Sequence, residues 1–111
     1  MVITFQDDGV LRIYGSAEEA VRDVEALDAE ETFQSVFDET GQGYAIRWIR
    51  QNQRGLLMVQ NGEYTLVPDG PVNVEALLRL ISGAQLVEPE SLKSWLRELE
   101  GRLTGRLSGP A

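Results

Sequence analysis

Cysteine and histidine are both absent from this 111-residue chain. Without cysteine there is no disulfide, no thiolate metal site and no cysteine nucleophile. Without histidine, the usual general base near neutral pH, the commonest metal ligand and the commonest pH switch are all missing. Lysine is nearly absent as well: nine of the ten basic residues are Arg, and Lys93 stands alone. A Ser/Lys mechanism would have to use Lys93 with Ser91 or Ser94, on an exposed helix face that offers no burial to lower the amine pKa. Gly-rich phosphate loops of either standard spacing are missing too. A glycosidase-like carboxylate pair can be drawn from Asp38, Glu39 or Glu63, but acids this common in surface turns make the pairing uninformative. The chain is therefore expected to be no enzyme, with no catalytic residue, no cofactor and no metal. The opening residues do not read as a basic-then-apolar leader, so none is expected, and the sequence holds no run of about 18 apolar residues. The expectation is a cytoplasmic protein with no membrane partner.

What the chain does have is negative charge, unevenly spread. The net charge is −8. Residues 1–41 hold eleven acids against Arg12 and Arg22, a net −9, while residues 42–111 hold seven acids against eight bases, a net +1. Phosphates demand a basic surface, so this field disfavours direct nucleic-acid or anionic-membrane binding. It favours a basic protein partner, through steering and exclusion of wrong partners. An acidic surface that merely keeps a small protein soluble is the plain alternative.

The stretch Tyr44–Asp69 reads as the centre of the fold. Tyr44, Ile46 and Trp48 alternate with Ala45, Arg47 and Ile49, the pattern of a half-buried strand. Leu56–Val59 form an apolar run, and Asn61-Gly62 before Tyr64–Val67 gives the strongest short-range hairpin signal. Three consecutive antiparallel strands are expected here. The polar segment Gln51–Gly55, with Arg47 and Arg50, makes a small basic, amide-rich patch, read as a solvated loop tip in preference to a partner contact. Before this centre, Val2–Phe5 and Val10–Tyr14 are β-prone runs joined by Asp7-Asp8-Gly9, a turn rather than a metal site.

Ser16 with Glu19 makes a capping box that opens a helix whose buried stripe is Ala17, Ala20, Val21, Val24 and Leu27, with a second short turn near Asp28. Phe33–Asp38 reads as a strand. Asn73 caps a helix through Ile81, stopped by Gly83; Ala84–Glu88 reads as a connector; Pro89 opens a last helix. In that helix Leu92, Trp95, Leu96, Leu99 and Leu103 share one face, read as docking on the domain's own core, with a homodimer seam through Leu92, Trp95, Leu96 and Leu99 as the alternative. Residues 1–104 are expected to form one α+β domain and 105–111 a disordered tail. The expected order is ββαββββαα: a twisted, mainly antiparallel sheet with helices mostly on one face, and Tyr14, Tyr44, Trp48 and Tyr64 either in the core or clustered on a partly open face.

A short acidic α+β chain that opens MVITF…GVLRIYGSAEEAV and is centred on YAIRWIRQN…GLLMVQNGEYTLVPDG resembles the small immunity proteins of bacterial polymorphic toxin systems. The likeness is one of general pattern over roughly residues 1–103. It implies a protein that binds and blocks a cognate toxin domain, often by covering its active cleft. The charge pattern then makes Glu18, Asp23, Glu25, Glu30, Glu31, Asp38 and Glu39 the candidate partner-binding residues, facing a basic, nuclease-like surface. A homodimeric regulatory domain and a small-ligand-binding α+β domain are the competing classes.

Overall fold

The computed structural model, which describes residues 1–107, begins with the expected hairpin. Strand β1 (Val2–Gln6) pairs antiparallel with β2 (Val10–Tyr14). In the turn Gly9 adopts φ +82°, and Asp8 Oδ1 accepts from the Val10 N–H at 3.0 Å. The aspartates thus organise the turn, as Asp-Gly pairs do. Strand β3 (Phe33–Asp38) lies antiparallel on the other side of β1. A fourth strand, numbered β8 in chain order (Leu86–Glu88), runs parallel to β2, so the main sheet reads β3-β1-β2-β8.

The period of two along β1 builds two cores. Ile3 joins Leu11, Ile13, Leu77, Ile81, Leu96, Leu99 and Leu103 in one cluster, whereas Val2 joins Ala20, Val24, Ala29, Val36, Tyr64 and Leu66 in the other. Adjacent residues serve opposite faces because successive strand side chains point apart. The first face is covered by the longer helices, α3 (Val74–Gly83) and α4 (Lys93–Leu107), the latter preceded by a 3₁₀ turn at Glu90–Leu92. The second face is covered by α1 (Ala17–Asp23), α2 (Ala29–Thr32) and a separate two-stranded sheet, β4 (Tyr44–Arg50) with β7 (Glu63–Pro68). Each fully buried Leu or Ile in such a core contributes about 1.5–3 kcal/mol of hydrophobic stabilisation.

The α+β class holds, and several details differ from the sequence reading. The observed order is ββααβββββαβα. The organising strand is β1, not the Tyr44–Asp69 stretch, and the second face is closed rather than open. Tyr64 is buried, and Tyr14, Tyr44 and Trp48 pack partly buried against the same cluster. The connector Leu86–Glu88 is a strand: Val87 is its one buried residue, and three residues are too few to display alternation. Gly83 is the last residue of α3 rather than the position after it, while Asn73 caps as expected, its Oδ1 accepting from the Ala76 N–H at 3.0 Å. Gly105, Arg106 and Leu107, assigned to the tail from composition, continue α4, and residues 108–111 of that tail lie outside the described residues.

The largest departure lies between β4 and β7. These strands pair directly, Trp48 opposite Tyr64, and the intervening residues leave them as a second hairpin, β5 (Gln53–Arg54) with β6 (Val59–Gln60). Asn61-Gly62 is therefore not the turn. It returns the arm to the body: Asn61 Oδ1 accepts from the Leu27 N–H at 3.1 Å, and the Gly62 N–H donates to Asn52 Oδ1 at 2.8 Å. Asn52 Nδ2 in turn donates to the Ala26 carbonyl at 2.9 Å. The base of the arm is thus tied to the α1–α2 loop while its tip stands free. The radius of gyration is 15.5 Å with extents of 59 × 28 × 20 Å, against about 13 Å for a compact chain of this length.

Candidate partner-binding surface

On the second face of the main sheet, beyond Val2, the residues turn polar. Thr4 and Gln6 follow Val2 at the same parity, and the register places Arg12 opposite Thr4 and Tyr14 opposite Val2. Thr4 and Gln6 are both buried, so each needs partners. They have them in one directed chain. Arg12 Nη1 donates to Gln6 Oε1 at 2.7 Å, Gln6 Nε2 donates to the Tyr14 hydroxyl at 3.1 Å, and that hydroxyl donates to Asp23 Oδ2 at 2.6 Å. Gln6 Nε2 also donates to Thr4 Oγ1 at 3.0 Å, and Thr4 Oγ1 donates to the Arg12 carbonyl at 3.0 Å. Among the described residues no buried side-chain polar atom lacks a partner.

Arg12 is also held from outside. Its Nη2 lies 2.8 Å from Asp8 Oδ2 and its Nε donates to Glu88 Oε2 at 3.0 Å. The bond from Arg12 lowers the Asp8 pKa, and the same bond raises that of Arg12. Burial, then the Asp23 bond, pushes the Tyr14 phenol up to about 12. Burial likewise pushes Tyr64 up to about 12. These shifts keep Asp8 ionised, Arg12 charged and both phenols protonated at neutral pH.

Two grooves flank the network and share Arg12 and Asp23. One, of about 570 Å³, has Ile13, Tyr14 and Pro89 as its apolar lining and Glu19, Asp23 and Glu88 as its acidic lining. The other, of about 500 Å³, is lined by Asp7, Asp8, Glu25 and Asp28 around the same Asp23.

The acids singled out from the sequence do not form one surface. Glu18, Asp23, Glu25, Glu30 and Glu31 are exposed along α1, α2 and their connection. Within that group Asp23 is oriented by Tyr14, and Glu30 Oε1 accepts from Trp48 Nε1 at 3.1 Å. Asp38 and Glu39 stand at the far end of β3 and are engaged locally. Asp38 accepts from the Thr40 N–H at 2.9 Å, the Thr40 hydroxyl at 2.5 Å, the Gln42 N–H at 3.2 Å and the Tyr44 hydroxyl at 3.3 Å. Burial alone would raise its pKa, but these bonds outweigh burial and lower it. Glu39 Oε1 pairs with the N-terminal ammonium at 3.2 Å.

The alternative seam on the last helix is likewise in use. Leu96, Leu99 and Leu103 are inside the first core, and Leu92 and Trp95 pack against it. Among the described residues no helix is long and apolar enough to cross a membrane, and no group of three or more acidic, His or Cys side chains is placed to hold a metal ion.

Two features of the surface escape the sequence reading. The Gln6–Arg12–Tyr14–Asp23 chain was signalled only by Thr4 and Gln6 taking strand positions that Val2 marks as inward. The arm tip was hidden by its own apolarity: Leu56, Leu57, Met58 and Val59, read as a sheet strand, are 105%, 97%, 69% and 57% exposed. Of the nearby arginines, Arg54 is on the arm itself, whereas Arg47 and Arg50 belong to β4, where Arg50 Nη2 lies 3.5 Å from Glu63 Oε1. No protein-family model, no curated protein and no solved structure matches this chain.

Proposed function

We propose that this chain is a protein-binding inhibitor of the immunity type, which neutralises a cognate toxin domain by lying over a basic, nuclease-like surface. The observation that carries this reading is the α1–α2 segment. Residues 17–32 hold seven acids against Arg22 alone, and all seven are exposed. Charges packed this closely and left in water produce a one-sided field that accelerates encounter with a basic partner and repels acidic competitors. Asp23 and the flanking grooves give the field a shaped surface rather than a diffuse one. A toxin surface evolved to meet phosphates would find carboxylates where it expects substrate charge.

The test is kinetic. The tagged chain is used to recover its partner from the native host, and association is then followed at increasing salt. Replacing Asp23 by Asn and Glu25, Glu30 and Glu31 by Gln should slow association and flatten its salt dependence. Unchanged kinetics in that variant would move the contact surface elsewhere.

A further inference from the structure

The arm tip presents four consecutive apolar side chains to water, with Arg54 at the base of the arm as its one charged residue, in a chain that is otherwise acidic. The arm, residues 53–60, carries +1 and no acid, and the remainder carries −9 against the whole-chain −8. A contiguous apolar patch on a projecting element marks a contact site. Its complement has an apolar lining between acidic side chains, and the 570 Å³ groove beside β2 has that character: Ile13, Tyr14 and Pro89 with Glu19, Asp23 and Glu88. The one basic residue lining the groove, Arg12, is already paired with Asp8 and Glu88. The arm does not fill its own chain's groove. Its base is fixed on the α1–α2 loop, where Arg54 Nη2 also reaches the Leu27 carbonyl at 3.4 Å, and its tip remains exposed.

We propose that the occupant is a second copy of this chain: the Leu56-Leu57-Met58 tip of one protomer seats in the Tyr14–Asp23–Pro89 groove of its partner, with Arg54 exchanging its long bond to the Leu27 carbonyl for Asp23 of that groove, and the exchange is reciprocal. Reciprocity gives a closed two-fold dimer, whereas a one-way arrangement would grow into open chains. Self-association of this kind does not depend on what else the protein binds. It does add a consequence to the inhibitor reading, on which that consequence rests. The groove includes Asp23, so the dimer masks part of the acidic surface, and a basic partner must displace the arm to reach it.

The purified full chain alone suffices for the test, so its failure is separable from failure of the inhibitor reading, which needs the captured partner. Sedimentation velocity at low salt, from low-micromolar to near-millimolar protein, should show a monomer–dimer equilibrium. Leu56→Asp with Leu57→Asp should weaken it by about 30-fold or more, the loss typical of a central contact. Arg54→Glu and Asp23→Lys should each weaken it, and mixing those two variants should restore a heterodimer through the arm-to-groove contact whose charges are now reversed together. Circular dichroism melts of the four substitutions establish that each chain is folded; all four sites are exposed, and Asp23→Lys, which removes the acceptor of the Tyr14 hydroxyl, is the one expected to lower the melting temperature. A concentration-independent monomer, a dimer indifferent to the tip substitutions, open-ended growth, or no recovery on mixing the charge-reversed pair would each overturn the proposal.

Discussion

The Tyr14 hydroxyl donates to Asp23 Oδ2 at 2.6 Å, and through that bond a buried network orients an exposed carboxylate. Tyr14 is anchored on the sheet side by Gln6. Asp23 closes the last turn of α1. A free aspartate at that position would sweep several rotamers, and fixing one costs side-chain entropy that the network supplies in advance. The same residue lines both grooves of the acidic surface, so its orientation shapes each of them.

Alkaline titration tests how the two central tyrosines are held. Tyr14 and Tyr64 are both raised from about 10 in an unfolded chain to about 12 in the fold, burial being the first cause for each. The neutral phenol is the form the fold prefers. Their contribution is therefore complete below pH ~10, declines as the unfolded chain ionises first, and is lost once pH passes the folded value. Urea melts at increasing pH should show stability falling through this window. Tyr14→Phe and Tyr64→Phe should each flatten the fall, and a fall of unaltered steepness in both variants would refute the assignment.

Asp38 and Asp23 should separate cleanly on substitution. Asp38→Ala removes four hydrogen bonds that shape the β3–β4 loop and should cost about 1–3 kcal/mol in urea denaturation. Because the folded Asp38 pKa is lowered, its contribution is present above the unfolded value and disappears as pH falls through the folded one. The variant should accordingly lose less on acidification than wild type. Asp23→Asn keeps an oxygen that can accept from the Tyr14 hydroxyl and should cost less than Asp38→Ala, at most about 1 kcal/mol. Equal stability of the Asp38 variant and wild type would show that the loop does not need this carboxylate.

The elements legible in the sequence were those whose signals are local. Ser16 Oγ accepts from the Glu19 N–H at 3.2 Å as the capping spacing indicates, though Glu19 reaches back to the Gly15 N–H at 2.9 Å rather than to Ser16. The turn at Gly9 and the cap at Asn73 were equally readable. The arm was not: an apolar run beside Asn-Gly carries the same local signature whether it lies in a sheet or leaves it. Only the direct pairing of Trp48 with Tyr64, a tertiary fact, excludes Leu56–Val59 from the body. The closed second face was equally hidden, since it depends on β4 and β7 leaving the main sheet and packing on α1. Among the candidate acids, charge density correctly marked the α1–α2 segment as exposed but could not show that Asp38 is engaged in a turn.

Gly62 is where the arm rejoins the body, and space rather than backbone freedom demands glycine there. A Cβ at this position would run into the Arg50 carbonyl, with the Gln51 carbonyl carbon at 2.7 Å and the Asn52 nitrogen at 2.8 Å. All three are backbone atoms and cannot swing aside. Gly62→Ala should therefore cost about 1–3 kcal/mol, the range for overpacking, and should shift the amide resonances of Asn52 and Leu27, whose bonds frame the junction. Gly101→Ala is the control. It sits within α4 with nothing within 4 Å of the added carbon, and should stabilise by about 0.5–1 kcal/mol because alanine is the better helix former. Equal effects at the two sites would contradict the packed junction.

Leucines at two ends of the molecule should behave in opposite ways. Leu96 is fully buried between α4 and the sheet, in contact with the cluster of Ile3, Leu77 and Ile81. Leu96→Ala deletes packed methyl groups from a core that cannot collapse around them and should cost about 2–5 kcal/mol. A small domain holds only about 5–15 kcal/mol in total, so this single change should lower the melting temperature sharply. Leu57 at the arm tip is 97% exposed, so Leu57→Ala removes no intrachain packing and should leave the melting temperature of dilute protein unchanged. If the α4 face were instead a seam between copies, Leu96→Ala would alter the oligomeric state and spare the folded monomer. Differential scanning calorimetry of dilute protein together with light scattering distinguishes the two, because core loss appears in the first at any concentration and seam loss appears in the second.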